Sequence, residues 1–412
     1  MTLGAVVAMM GLDGYLSGRP ETVMGAALGL AAIGLLGLRF APGLLAEIAV
    51  ADTRAQAGAG RDTAEDVTAP VDAVRLTPIV GSVAGGSRES RVGGLPRLPD
   101  GVDWPERDGA PGRFLAQIAC AELPAGLWDG SGPRQGALAV FRFAATSAGD
   151  WPVRVLHVDG ALRERAAPKG VCPEPGWPLE VTPDDAACGT EPAPAPDWAR
   201  LHAVDLSDPA FHPFDWTSAS LLLTRIGTLL GDAAARLDSE GAQDDRARLA
   251  ATARDLAELT AALWSERAES AFSDTHRARL VEGLSALSLE DPGKAPVPLI
   301  RHDGLRLSFF TPFERHCRQV HAAAPERLPQ AQRALFEPLW AHNARHESGR
   351  MGSMEGIEPA ESREEDAVLL LDLPSSELLG WCFGAGRSFR VFLDRDALAR
   401  GDFSGAWARV VG

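Results

Sequence analysis

The apolar residues of this chain change their spacing twice, and that change limits what it can fold into. In DDRARLAATARDLAELTAALWSERAESAF, residues 244–272, an apolar stripe runs through Leu249, Ala253, Leu256, Leu259 and Leu263. Steps of three and four residues put these side chains on one face of a helix and fit no strand. Leu221, Leu222, Ile226, Leu229 and Leu230 repeat the pattern. A third helix follows Ser273, a residue suited to cap it. FERHCRQVHAAA and PQAQRALFEPLWAHNARH read as two more, the last broken at Pro338. On either side of this section the apolar residues form short runs bounded by glycine and proline: AVRLTPIV, RFLAQIAC, GALAVFRFA, PVRVLHV, AVLLLDL and SFRVFLD. Such runs read as strands. The eight prolines between Pro168 and Trp198 read as an exposed loop. The expected fold class is α+β, with β-rich duplicated units around a central helical section. The body divides into β-rich 71–215, helical 216–347 and β-rich 348–412.

A different signal precedes the body. Thr22 to Leu38 is uncharged for 17 residues and rich in small side chains. At about 1.5 Å of rise per residue this is the short end of what spans a bilayer. A second apolar stretch, interrupted by Asp13, lies before it. Residues 1–42 therefore read as a membrane anchor of one or two transmembrane helices. Residues 43–70 read as a juxtamembrane helix and flexible linker. Arg39 and Arg54 favour a body on the cytoplasmic side of a bacterial inner membrane.

Composition removes some functions. The chain carries 40 basic and 56 acidic residues, a formal charge of -16. No basic stripe offsets this, so nucleic acid is not an expected partner. The five cysteines form no CxxC pair. Cys120 and Cys382 sit in apolar runs and read as buried; Cys172 and Cys188 would pair only in an oxidising compartment.

SRVGGLPRLPDGVDWP, residues 90–105, leads into the RFLAQIAC run. It lacks the lysine and the following helix of a phosphate loop. It reads as a shaped loop: Gly93 and Gly94 supply unusual backbone angles, the prolines stiffen the path and Trp104 anchors it. FLAQIACAELPAGLW with QGALAVFRF, and LLLDLPSSELLGW with SFRVFLD, also share an order of strand, polar link, Glu-Leu, tryptophan turn and strand. That order suggests duplication. These two segments resemble the YwqG-like family, a bacterial family of unknown function, over about residues 77–150 and 350–410. The resemblance implies an α+β fold with internal duplication, and no settled activity. The family's His-Gly-Tyr-Pro-like segment is replaced here by HESGRMGSMEGIEPAES.

The candidate ligand- or partner-binding residues are Arg91, Gly93, Gly94, Trp104, Gln117, Trp381 and Arg387. Gln117 is an amide inside an apolar run and needs hydrogen-bond partners. Arg91 and Arg387 would share a cleft if two similar halves packed together. Cys317, His321, His342 and His346 form two i, i+4 pairs, the one arrangement that would suit zinc. Each also fits an ordinary packed or surface role, and no metal or other cofactor is expected. No Gly-x-Ser-x-Gly, His-Glu-x-x-His or dinucleotide fingerprint occurs. The expected function is a membrane-anchored binding or regulatory module for a protein or small ligand. The alternatives are a hydrolase-like enzyme using Arg, Gln and a carboxylate such as Asp372 or Asp394 between the halves, and a structural membrane component.

Overall fold

The computed structural model describes residues 73–81, 89–145, 151–184, 195–240, 243–268, 270–289, 295–352 and 366–411. The expected membrane anchor, juxtamembrane helix and linker lie outside these residues. Among the described residues no helix is long and apolar enough to cross a membrane. The fold is α+β, with seven helices and a ten-stranded antiparallel sheet among the described residues. The chain divides into two compact units: one holds Asp197–His321 and Glu326–Phe336, the other holds the large sheet.

The helical unit contains α1 (Trp198–Ala203), α2 (Trp216–Glu240), α3 (Gln243–Glu266), α4 (Asp274–Ala286) and most of α5 (Asp303–Ala323), with the short hairpin β11 (Ser288–Leu289) and β12 (Val297–Pro298). The expected stripes are its core. Leu222, Ile226, Leu230, Leu249, Leu256 and Leu263 are buried. Ser273 caps α4 through a capping box, its hydroxyl receiving the His276 N–H while the His276 ring reaches back to the Ser273 N–H. α6 (Gln330–His346) is continuous, contrary to the expected break at Pro338. A proline inside a helix costs about 3 kcal/mol. Burial of Leu335, Phe336, Trp340 and Ala344 along the same helix offsets that cost.

The sheet unit opens with β1 (Ala73–Pro78), β2 (Arg91–Val92), β3 (Arg97–Leu98), β4 (Glu106–Arg107), β5 (Ala110–Pro111), β6 (Arg113–Ala119), β7 (Ala137–Arg142), β8 (Val153–Val158), β9 (Arg163–Glu164) and β10 (Trp177–Pro183). It resumes with β13 (Gly349–Gly352), β14 (Ala367–Pro374), β15 (Ser388–Asp394), the short helix α7 (Arg395–Ala399) and β16 (Trp407–Val411). The large sheet runs β16-β15-β14-β13-β1-β10-β2-β6-β7-β8. Its two edge strands, β16 and β8, come alongside each other without a ladder between them. β10 corrects the expectation of an exposed loop for part of this proline-rich segment, since Trp177–Pro183 is a central strand. Its prolines fall where the missing N–H matters least. Pro183 ends the strand, and Pro178 lies one step past the last β1–β10 pair, where its carbonyl accepts the Ile79 N–H at 2.8 Å.

The two sides of this sheet repeat one another. β2-β6-β7-β8 and β13-β14-β15-β16 are each a four-strand meander. Arg91 stands opposite Gln117 in the first, Arg350 opposite Asp372 in the second. The β6–β7 ladder slips between Phe114 and Ala116; the β14–β15 ladder slips between Leu369 and Leu371. The slipped residues begin LAQIACAEL and LLDLPSSEL, which align without a gap. β1, which precedes the first meander, pairs with β13 of the second, while β10, which precedes the second, pairs with β2 of the first. Each side thus takes its inner strand from the chain segment leading to the other.

Candidate functional site

The glycine loop is explained by a backbone crossing. Gly93 has φ 64° and Gly94 φ 70°. The Gly93 N–H donates to the Leu115 carbonyl at 2.7 Å, and the Gly94 N–H to the Glu174 carbonyl at 3.0 Å. A Cβ at Gly93 would lie 2.1 Å from the Pro175 carbonyl oxygen. The loop passes so close to Pro175-Gly176 that no side chain fits between them.

Beyond this crossing, Gln117 is 1 % exposed. Its carbonyl oxygen accepts the Arg97 backbone N–H at 2.8 Å and its amide donates to the Arg97 carbonyl at 2.9 Å. The side chain thus replaces a neighbouring strand for one residue of β3. Arg91, opposite it, donates to the Leu95 carbonyl at 3.0 Å and lies 3.4 Å from Glu164 of β9. Both residues hold the paired strands β3 and β9 in place. On the second side Asp372 takes the place of the amide, and its partner is Arg390 at 2.9 Å. A carboxylate has no N–H to offer a backbone carbonyl, so an arginine serves it instead.

Trp104 sits on the same face of the sheet. Its indole N–H donates to the Gly112 carbonyl at 2.7 Å, and its ring meets Phe141 edge-on at 5.5 Å. Phe114, Phe141, Leu98, Ala139 and Val158 form the core beneath. Around the ring lies a hollow of about 520 Å³, lined by Val102, Trp104, Pro105, Phe143, Val153 and Leu156 together with the charged Asp103, Glu106, Arg107 and Arg154. Apolar walls with a few polar groups at this size are the usual make-up of a ligand site.

Trp381 and Arg387 lie elsewhere in the sheet unit, on the connection between β14 and β15. Trp381 is buried, its backbone exchanging hydrogen bonds with Ser376. Arg387 is exposed, and its backbone N–H donates to the Phe383 carbonyl at 2.9 Å. Cys382, between buried Trp381 and Phe383, is exposed rather than buried. Alternation along an extended chain turns it outward, which an apolar sequence run does not show. Cys120 is buried as expected, and burial pushes its thiol to about 11. Cys172 is a free, exposed thiol; Cys188 lies outside the described residues.

This connection is held by a half-buried acid, Glu347. The Ser376 hydroxyl donates to Glu347 Oε2 at 2.6 Å, and the Leu378 N–H at 3.3 Å. Burial nonetheless raises the Glu347 carboxyl above its ordinary range. A carboxyl raised in the folded state favours folding below its ordinary pKa and loses that contribution as pH rises through the folded value. Glu347→Gln should therefore flatten the pH dependence and raise the melting temperature at pH 8 relative to pH 4.5. Thermal denaturation at the two pH values checks this; an unchanged slope would contradict it.

The four residues weighed for zinc do not share a unit. Cys317 and His321 are buried in the helical unit, where burial drives the Cys317 thiol well up, and His342 and His346 belong to the sheet unit. The His342 and His346 rings lie 4.0 Å apart, with His346 Nδ1 against the His342 carbonyl. Among the described residues no three His, Cys, Asp or Glu side chains gather to hold a metal. In the helical unit a serine, an aspartate and a histidine do converge. The Ser218 hydroxyl donates to Asp215 at 2.7 Å, and His316 Nε2 lies 2.8 Å from the other carboxylate oxygen. The hydroxyl points to the carboxylate and not to a histidine nitrogen, so this is not a serine–histidine pair. The group caps the start of α2.

Residues 90–159 match the family described as "Domain of unknown function (DUF1963)". The match begins at the glycine crossing and takes in Gln117, Trp104 and the walls of the hollow. No curated protein matches the chain.

Proposed function

We propose that this chain is a YwqG-like binding module whose ligand, or a side chain of whose protein partner, enters the Trp104 hollow. One observation carries the reading: an aromatic-walled space of about 520 Å³ lies beside a loop fixed by Gly93, Gln117 and the Trp104–Gly112 hydrogen bond. A rigid scaffold under a shaped loop is the usual setting of recognition. The walls favour an uncharged, flat or branched apolar group. We further propose that the two sides of the sheet are copies of one ancestral unit, supported by the shared register slip and the exchanged inner strands. Residues 1–42 would tether the module to a bacterial inner membrane with the body in the cytoplasm, a reading supported by the uncharged run and by Arg39 and Arg54.

A neutral fluorescent probe, N-phenyl-1-naphthylamine, tests the hollow. Its emission should rise on adding the protein, and Val102→Trp, which fills the hollow without opening a cavity, should abolish the rise. Equal emission with Val102→Trp would overturn the proposal.

A further inference from the structure

The opposite face of β7 carries a group that the hollow does not use. Arg142 ends this strand. Its guanidinium lies over the Trp151 ring at 5.7 Å and over the Phe383 ring at 5.9 Å. These rings are themselves fixed: Trp151 meets Phe389 edge-on at 6.2 Å, and Phe383 lies 5.3 Å from Phe389. The Arg142 Nε is buried, and among the described residues no acceptor bonds it. A guanidinium stays charged in a protein. Aromatic faces hold a guanidinium in place but do not neutralise it. Arg142 is half-buried, and the carboxylate that favours its charge, Glu174, is already paired with a second guanidinium.

A second guanidinium stands next to it. Arg113 is directly opposite Arg142 in the β6–β7 ladder, so both side chains leave the same face. Arg113 lies 3.4 Å from Glu174, a half-exposed pair at the long end of such contacts. Burial first, and then this neighbour, work against the charge on Arg142, while Glu174 favours it. Glu174 is the residue whose backbone carbonyl receives the Gly94 N–H, so the glycine crossing also places the carboxylate beside Arg113.

We infer that Arg142 and Arg113 form an oxyanion site. A carboxylate or phosphate group would accept the planar fork of Arg142, which the rings hold in one orientation, and a further oxygen would take Arg113 from Glu174. Stacking suits Arg and not Lys, because the fork is planar and presents two parallel N–H groups. Glu174 is a built-in competitor that sets the affinity. No bond is made or broken, and the site is independent of the Trp104 hollow.

The test uses the full chain at constant ionic strength, with sodium acetate and sodium phosphate as separate probes and chloride as the control, read by isothermal calorimetry. At least one probe should bind wild type. Arg142→Lys, which keeps the charge, should weaken it at least tenfold, and Glu174→Gln should tighten it about threefold or more. Acetate alone binding would assign carboxylates, phosphate alone would assign phosphate groups, and both would assign oxyanions generally. The inference is overturned if neither probe binds wild type, or if Arg142→Lys binds as wild type does. Glu174→Gln guards against a misfolded Arg142 variant, because a gain of affinity cannot come from unfolding. No tightening in that variant would remove Glu174 as competitor and contradict the site as described.

Discussion

Gly93→Ala should leave the sheet unit unable to fold. The added Cβ would sit 2.1 Å from the Pro175 carbonyl oxygen and 3.2 Å from Leu379 Cδ2, and the first of these is backbone with little room to move. The backbone must also keep φ at 64°, which costs a non-glycine residue roughly 1–2 kcal/mol before any clash. The total should exceed about 4 kcal/mol, in the range reached only by gross steric or cavity effects. Gly101→Ala separates the two contributions. Gly101 has φ 87°, yet nothing lies within 4 Å of its absent Cβ. It should cost about 1 kcal/mol, the conformational part alone. Urea denaturation of both variants decides: equal losses would mean that the crossing is not what requires Gly93.

Gln117→Leu is the second large effect, expected at about 3–4 kcal/mol. Leucine fits an apolar strand and matches the residues around it. The structure says otherwise, because the Arg97 N–H and C=O would both lose their partner in a buried place. Each orphaned buried backbone group costs about 1–3 kcal/mol. Gln117→Glu should also destabilise, since a carboxylate can accept the N–H but cannot serve the carbonyl. Chemical denaturation of both variants is the measurement. If leucine were neutral, the amide would not be holding the β3–β9 pair, and the rigidity ascribed to the Trp104 loop would lose its basis.

The helical section was legible because period 3.6 survives in any packing: the stripes at Leu249, Leu256 and Leu263 and the Ser273 cap follow from spacing and residue type. The outer strands were legible as apolar runs between turn residues. β10 was not, because its prolines read as a loop until their ladder positions are known. Pro338 misled in the same way, since the burial that holds α6 together comes from tertiary packing. At the candidate site Trp104 and Gln117 could be singled out as a large aromatic and a lone amide in apolar surroundings. That Gln117 serves a backbone segment twenty residues earlier could not be read, since only register shows it. Arg142 gave no signal at all. It is one arginine among many at the end of an ordinary strand, and its Phe383 neighbour arrives from the other side of a long insertion.

The central claim is that the Trp104 hollow is the place of recognition. Photolabelling tests it most directly: a neutral aromatic diazirine is irradiated with the full chain and the labelled peptides are identified by mass spectrometry. The label should fall on residues 102–107 and 153–156 and disappear in Val102→Trp. Labelling spread over the helical unit, or unchanged by Val102→Trp, would contradict the claim.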